Sequence, residues 1–423
     1  MDSENIDQQS SWDVVIVGGG FAGLRCALEL APHPNIHITL LDKNNYQQFH
    51  PLLYQVAASI LSPSNAAFAL RDMLRNFDNV DVQMDEVTSV DLAQRTVHTA
   101  AGNSFSGDFL VLATGSRVNF YGVPGAEQFT LPLYSLTDAE KLRSAILEAF
   151  EAADRNPSDA TAGLLNFVVV GGGPTGVEMA GTLSDMLQRV LQKEFRHVDA
   201  SRAQVFLIEQ APAVLSTFSP ASQSYAASAL KQHHVQLRLG AAVKEVTPNE
   251  VLLSDGSRIP SKMVIWAAGV KVDAVPTQPA AQRQPNGRLE VQKDLSIPGY
   301  DDVYAIGDLA NAAGSDGKPL QQLAAVAQQA GKHCARNILA SISGEPVTPF
   351  VYSDRGILAM IGRNAAIAEL GRQHHELVGP IAFAAWLGVH LALLTVTRAK
   401  LEAIVEWSWA YFTGEHPAQL IDR

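Results

Sequence analysis

Asp13-Val-Val-Ile-Val-Gly18-Gly-Gly-Phe-Ala-Gly23-Leu24 is a short β-branched run that breaks into glycines and then into a helical pattern. The same order returns as Asn166-Phe-Val-Val-Val170-Gly171-Gly-Gly-Pro-Thr-Gly176-Val-Glu178. An unbroken apolar run of this length reads as a strand buried on both faces of a parallel sheet. Leu24–Leu30 and Val177–Leu191 read as helices. Each is followed by a second apolar run that ends in an acid, Ile36-His-Ile-Thr-Leu-Leu41-Asp42 and Val205-Phe-Leu-Ile208-Glu209. Strand, glycine turn, helix, strand, acid therefore occurs twice, which predicts a duplicated α/β architecture.

Both copies have a similar sequel. After the first, strands are predicted at Val80–Met84, Glu86–Leu92 and Thr96–Thr99, then Phe109-Leu-Val-Leu-Ala113-Thr114-Gly115. After the second come Gln236–Leu239, Val251–Leu253 and Met263-Val-Ile-Trp-Ala267-Ala268-Gly269. Ala153–Ala162 is polar and reads as a loop ahead of the second copy. A further short strand, Asp302-Val-Tyr-Ala-Ile306, ends in Gly307-Asp308.

A strand followed by GxGxxG and a helix has a chemical meaning. The first glycine makes the tight turn, the second lets backbone approach a pyrophosphate, and the third lets helix and strand pack closely. The helix N-terminus then aims free N–H groups and partial positive charge at the anion. Gly18, Gly20 and Gly23 fill these places in one copy, and Gly171, Gly173 and Gly176 in the other. Asp42 and Glu209 stand where a carboxylate accepts hydrogen bonds from an adenosine ribose and repels a 2′-phosphate. Glu209 thus points to NADH over NADPH. Two such sites in one chain call for a resident flavin and a visiting nicotinamide.

With these residues in hand, the chain resembles the flavoprotein reductases built from two Rossmann-like dinucleotide-binding domains, the glutathione-reductase-like α/β fold. Ala113-Thr114-Gly115, Ala267-Ala268-Gly269 and Tyr304-Ala-Ile-Gly307-Asp308 match that group's further motifs. Within it, Phe49-His50-Pro51-Leu52-Leu53-Tyr54-Gln55-Val56-Ala57, Gly173-Pro-Thr-Gly-Val-Glu178-Met-Ala-Gly181 and the Trp407-Ser-Trp-Ala-Tyr-Phe412 ending resemble the type II NADH dehydrogenases. These are single-subunit NADH:quinone oxidoreductases that move electrons without pumping protons.

The resemblance implies a discontinuous FAD domain over 11–125 and 275–345, an NADH domain over 126–274, and a C-terminal helical region over 346–423 for membrane association and dimerisation. It implies noncovalent FAD held by Gly18, Gly19, Gly20, Phe21, Ala22, Gly23, Asp42, Lys43, Val87, Ala113, Thr114, Gly115, Asp308, Ala324 and Ala325. NADH would be held by Gly171, Gly173, Pro174, Thr175, Gly176, Glu209, Ala268 and Gly269. Glu178 would act beside the flavin and nicotinamide in proton handling or positioning, against the plainer reading of a first-turn acid that favours the helix dipole. Gln328 and Gln329 would meet the quinone, although Ala325 and Ala330 stand where the family carries polar side chains. A peripheral enzyme of the respiratory chain on the cytoplasmic membrane face, a homodimer, is what the family implies. Two alternatives stay open: a related reductase with a protein or other small acceptor, and a flavin- and NADH-binding redox sensor with poor turnover.

Composition narrows the rest. Acidic residues outnumber basic ones 43 to 31, a formal charge of −12, so a nucleic-acid partner is not expected. The two cysteines, Cys26 and Cys334, offer no CxxC pair, which argues against thiol redox chemistry and a thiolate metal site, and each reads as a small buried apolar residue. Met1–Ser11 has no basic and apolar leader pattern, so a secretion signal is not expected. Ile381–Thr397 carries no charge but is marginal in length for a span. Leu401, Ile404, Val405, Trp409 and Phe412 then recur at helical spacing, with Glu402 and Glu406 on another face. Paired amphipathic helices in the membrane interface are expected, with tryptophans at headgroup depth. The plainer alternative is a helix pair packed on the domain or in a dimer interface. Residues 381–423 hold three basic and four acidic side chains, so attachment would rest on apolar burial.

Overall fold

The computed structural model describes residues 11–422 apart from 157–162, 164, 196–197, 199–202, 273–274, 372 and 395. In chain order the elements that build the site are β1 (Trp12–Val17), α1 (Phe21–Leu30), β2 (Ile36–Asp42), α2 (Leu53–Ala57), β3 (Val80–Met84), β4 (Phe109–Leu112), α3 (Leu136–Arg155), β5 (Asn166–Val170), α4 (Pro174–Met186) and β6 (Gln204–Glu209). They continue with α5 (Pro220–Gln232), β7 (Val235–Leu239), β8 (Met263–Trp266), β9 (Tyr300–Ala305), α6 (Ala324–Ile342), β10 (Gly356–Gly362), β11 (Ala365–Leu370), β12 (His375–Val378), α7 (Gly379–Leu393) and α8 (Thr397–Thr413). Two compact units result. One is the chain up to Gln47 with Phe68–Arg117 and Val270–Ser353; the other is Gln48–Ala67, Val118–Gly269 and Asp354–Arg423. Residues 48–67, placed by the sequence reading in the first domain, count with the second unit.

The first unit is a six-stranded sheet in the order Ser296–Ile297, β9, β4, β1, β2, β3. β1 pairs in parallel with β2 on one side and β4 on the other, Val14 facing both Ile38 and Phe109. Val14, Val15, Ile16 and Val17 are all buried, which is why the strand has no polar alternation. The chain moves outward from β1 to β2 and then β3, and returns on the other side as β4, so a crevice opens beyond the C-terminal end of β1. Helix α6 lies against α1 at very short range: a Cβ on Gly331 would sit 2.1 Å from the Ala22 carbonyl oxygen. Cys26 and Cys334 are buried on these two helices in one apolar cluster, and burial pushes the Cys334 thiol well up.

The second unit repeats the plan. Its five-stranded sheet runs Leu131–Pro132, β8, β5, β6, β7, every pair parallel. Helix α3 starts at a reciprocal cap, with Asp138 N–H donating to Ser135 Oγ at 3.1 Å and Ser135 N–H to Asp138 Oδ2 at 2.8 Å. It runs to Arg155, so the expected loop at 153–162 begins as helix; residues 157–162 lie outside the described residues. The helix expected over Val177–Leu191 starts earlier, at Pro174, and becomes a π-type turn over Leu187–Leu191.

The C-terminal region is not helical throughout. β10, β11 and β12 form an antiparallel sheet before α7 and α8 begin. The run Ala365–Leu370 is rich in alanine, which hides its strand character. The small Ala366 and Ala368 let α7 seat its buried Ala382 against the sheet. Among the described residues no helix is long and apolar enough to cross a membrane.

Helix α4 touches β10 so closely that a Cβ on Gly181 would lie 1.5 Å from the Ile361 carbonyl oxygen. Gly181→Ala is therefore expected to destabilise the protein by about 3 kcal/mol, the upper end for overpacking a core. Gly388→Ala on α7, where a Cβ meets nothing within 4 Å, should be neutral or stabilising by up to about 1 kcal/mol. Thermal melts of the two variants beside the parent test the contrast.

Candidate functional site: two glycine turns and a buried carboxyl

The first turn is built from contacts that exclude side chains. Gly18 has φ +106°, and a Cβ there would lie 2.3 Å from the Ala113 carbonyl oxygen. A Cβ on Gly23 would lie 1.9 Å from the Gly18 carbonyl oxygen. Gly20, by contrast, would meet nothing within 4 Å. The loop is thus clamped at its first and third glycines and open at its second, a cradle with room for an anion before α1. Asp42 ties it down: Gly19 N–H donates to Oδ2 and Asn44 N–H to Oδ1, both at 2.7 Å. Burial raises the Asp42 pKa, opposed by these two bonds and by Lys43.

The second turn repeats this arrangement. Gly171 has φ +110°, and a Cβ there would lie 2.6 Å from the Ala267 carbonyl oxygen; a Cβ on Gly176 would lie 1.8 Å from that of Gly171, whereas one on Gly173 would meet nothing within 4 Å. Glu209 Oε2 accepts from Gly172 N–H at 2.6 Å and Oε1 from Ala211 N–H at 2.7 Å. Pro174 opens α4, where its missing N–H costs nothing. Pro174 and Thr175 are exposed, as is Gly269; Ala268 is half-buried.

The remaining first-unit residues gather at the same end of the sheet. Ala113, Thr114 and Gly115 follow β4, and Thr114 Oγ1 is buried with no hydrogen-bond partner among the described residues. Asp308 Oδ2 accepts from Ser116 Oγ at 2.6 Å, and burial raises its pKa against that bond and against Arg288. Phe21 and Ala22 form the first turn of α1, and Ala324 and Ala325 that of α6. Lys43 is exposed. Val87 starts a strand with its side chain in the core, which leaves only its backbone to a ligand. Gln329 is engaged on both sides of its amide, donating to Ser353 C=O at 3.0 Å and accepting from Ser353 N–H at 2.9 Å, while Gln328 is half-buried one position earlier. Ala330 lies in the core between α1 and α6.

Glu178 is the fifth residue of α4, past the first turn, and buried, so the dipole reading gives way to a different one. Its Oε1 accepts from Met360 N–H of β10 and from the Trp386 indole N–H of α7, both at 3.2 Å. Burial pushes its pKa up to about 8 against those two bonds, so the carboxyl carries a proton at neutral pH. With both donors on Oε1, Oε2 is the place for that proton. Around it stand Tyr54, whose hydroxyl donates to Met360 Sδ at 3.3 Å, and Gln55, which donates to Tyr54 at 3.0 Å and accepts from the Trp407 indole at 2.6 Å. Burial holds His50 and His390 down at about 4, so both are neutral.

A cavity of about 550 Å³ adjoins this cluster, lined by Gln55, Met360, Phe383, Leu387, Trp407 and Tyr411 among others. Next to it, helix α8 presents its sides in an unexpected order. Glu406 turns inward, accepting from Ser62 N–H, Ser62 Oγ and Asn65 Nδ2. Leu401, Val405, Trp409 and Phe412 turn outward, Phe412 at 81% exposure. Of the three tail tryptophans expected at headgroup depth, only Trp409 is exposed; Trp386 is wholly buried and Trp407 half-buried. The spacing of the apolar residues signalled an outward stripe. Nothing in it separated Trp386, an interior residue, from the other two.

Comparison with known proteins bears on these features. A family profile described as pyridine nucleotide-disulphide oxidoreductase matches residues 12–331. The type II NADH:quinone oxidoreductase Ndh of Mycobacterium tuberculosis is 37% identical over 95% of this chain and 88% of its own length. A second protein of that organism, the type II NADH:quinone oxidoreductase NdhA, is 34% identical over 94% of this chain and 87% of its own. A solved structure of NDH2 from Plasmodium falciparum in complex with NADH superposes with a TM-score of 0.87 over 98% of this chain and all of that one, at 18% identity, a likeness of fold. With the family profile matching residues 12–331 and a relative 37% identical over 95% of the chain, the chain belongs to the pyridine nucleotide-disulphide oxidoreductases and, among them, to the type II NADH:quinone oxidoreductase family.

Proposed function

We propose that this protein is an FAD-dependent NADH:quinone oxidoreductase that works at a membrane surface on the cytoplasmic side. The observation that carries the reading is the duplicated cradle: two glycine turns, each open at its middle glycine and each tied to a strand-end acid. The first cradle fits FAD, with Gly18, Gly19, Gly20 and Gly23 and the α1 N-terminus receiving the pyrophosphate and Asp42 the ribose. The unpartnered Thr114 hydroxyl and the carboxyl of Asp308 supply further polar contacts. When bound, FAD supplies two-electron chemistry, accepting a hydride from NADH and passing the electrons to a quinone. The second cradle fits NADH, with Gly171, Gly173, Thr175 and Gly176 at the phosphates and Glu209 at the adenosine ribose, where its charge repels a 2′-phosphate.

Reducing a quinone to a quinol takes up two protons, one from NADH's hydride balance and one from the medium. Glu178 holds a proton in the interior, and Met360, whose N–H bonds it, also lines the cavity. Its raised pKa suits a group that gives up a proton near neutral pH. The mouth of the cavity is where an apolar acceptor enters, and the outward apolar stripe of α8 is what the lipid surface covers. On α6, Gln328 and Gln329 are the proposed quinone contacts, Gln329 with its amide bonded to Ser353 on both sides.

Glu178→Gln should keep FAD yet lower NADH:quinone turnover by roughly a hundredfold. Because the protonated form is the active one, wild-type turnover should fall as pH rises through about 8, and this limb should vanish in the variant. Unchanged steady-state rates would remove the role. Glu209→Gln should raise the ratio of NADPH to NADH kcat/KM by about tenfold, read from nicotinamide oxidation with each donor. Phe412→Asp with Val405→Asp should release the protein from sedimented membranes while its flavin absorbance persists; a variant that stays bound shows that another surface is the anchor.

A further inference from the structure

Helix α7 has two unlike sides. Ala382, Trp386 and His390 recur at intervals of four and are buried; Ile381 is 70% exposed and Ala384 also faces out. Such spacing puts one stripe of the helix on the protein and leaves another toward the surface. The buried stripe ends at a functional group rather than in plain core. Trp386 has no exposed surface, and its indole N–H is the side-chain donor to Glu178.

The ring is held in place from several directions. It stacks on His390 at 3.7 Å between centroids and an interplanar angle of 19°. It meets Tyr54 and Trp407 edge-on at 6.2 and 6.1 Å. His390 Nδ1 is bonded to the carbonyl of Trp386 itself at 2.9 Å. Glu178's other donor is the main-chain N–H of Met360, which every side-chain substitution at that position except proline keeps. The titratable groups that face the carboxyl are Tyr54 from α2 and, across the indole, His390 from α7. Asp185, two turns further along α4, is engaged by the N–H of Arg363 at 2.9 Å and by His233 at 2.8 Å.

We infer that Trp386 is a positioning residue for Glu178: its indole N–H fixes Oε1, so that α7, a surface helix, sets where the interior proton sits. This rests on the proton role of Glu178 proposed above. A donor to a carboxyl oxygen stabilises the ionised form, so removing it makes the proton harder to release.

The test uses the full-length flavoprotein in detergent and follows NADH:quinone turnover against pH. Two replacements at position 386 are compared. Trp386→Phe keeps a packed ring, and benzothienylalanine at the same position keeps the indole's shape while lacking only its N–H, which serves if the Phe variant folds poorly. Either should move the alkaline limb upward by about one pH unit, with KM for NADH unchanged. In a Glu178→Gln background the same replacement should leave the pH profile as it was. A limb that stays at the wild-type pH with the isosteric residue overturns the inference while leaving the role of Glu178 intact. A limb that survives Glu178→Gln overturns that role and the inference with it.

Discussion

Each glycine turn is closed by the acid at the end of the neighbouring strand. A run of three glycines is the most freely jointed chain available, and holding it in one left-handed-going-to-extended path requires fixed bonds. The carboxyls of Asp42 and Glu209 provide them, each taking one N–H from the turn and one from the residue two places after itself. The acid has a second consequence. Under the function proposed above, it would also receive the adenosine ribose and oppose an added phosphate. One side chain would thereby shape the loop and screen the coenzyme.

Glu178 uses the opposite strategy. Asp42 and Glu209 are tied to main-chain N–H groups in a polar loop, whereas Glu178 is surrounded by Tyr54, Met360 and Trp386. Burial outweighs its two hydrogen bonds, and the proton stays on to about 8. The chain therefore carries acids of the same chemical type in two settings: one that binds through its oxygens and one that stores a proton.

Much of the fold was legible because its signals are local. The β-branched runs before Gly18 and Gly171, the glycine spacing and the acids 42 and 209 specify strand, turn and partner within about forty residues of each other. The regions that misled are those decided by distant contacts. The resemblance implied a helical region over 346–423, whereas Ala365–Leu370 is a strand whose small alanines make room for α7. Trp386 and Trp409 look alike in sequence and occupy opposite environments, because packing against Glu178 happens across 208 residues. Nor does anything near Gln329 in sequence announce that both ends of its amide bond to Ser353, 24 residues on.

Helix α8 is an amphipathic helix turned inside out, with Glu406 anchored inward by Ser62 and Asn65 and its oily edge facing away. Rotation about its axis offers no relief, since it would strip the glutamate of three donors. An exposed apolar edge of this kind favours adsorption to air–water and plastic interfaces and adhesion between copies. Colloidal behaviour, rather than unfolding, would then set how the molecule is handled in plain buffer.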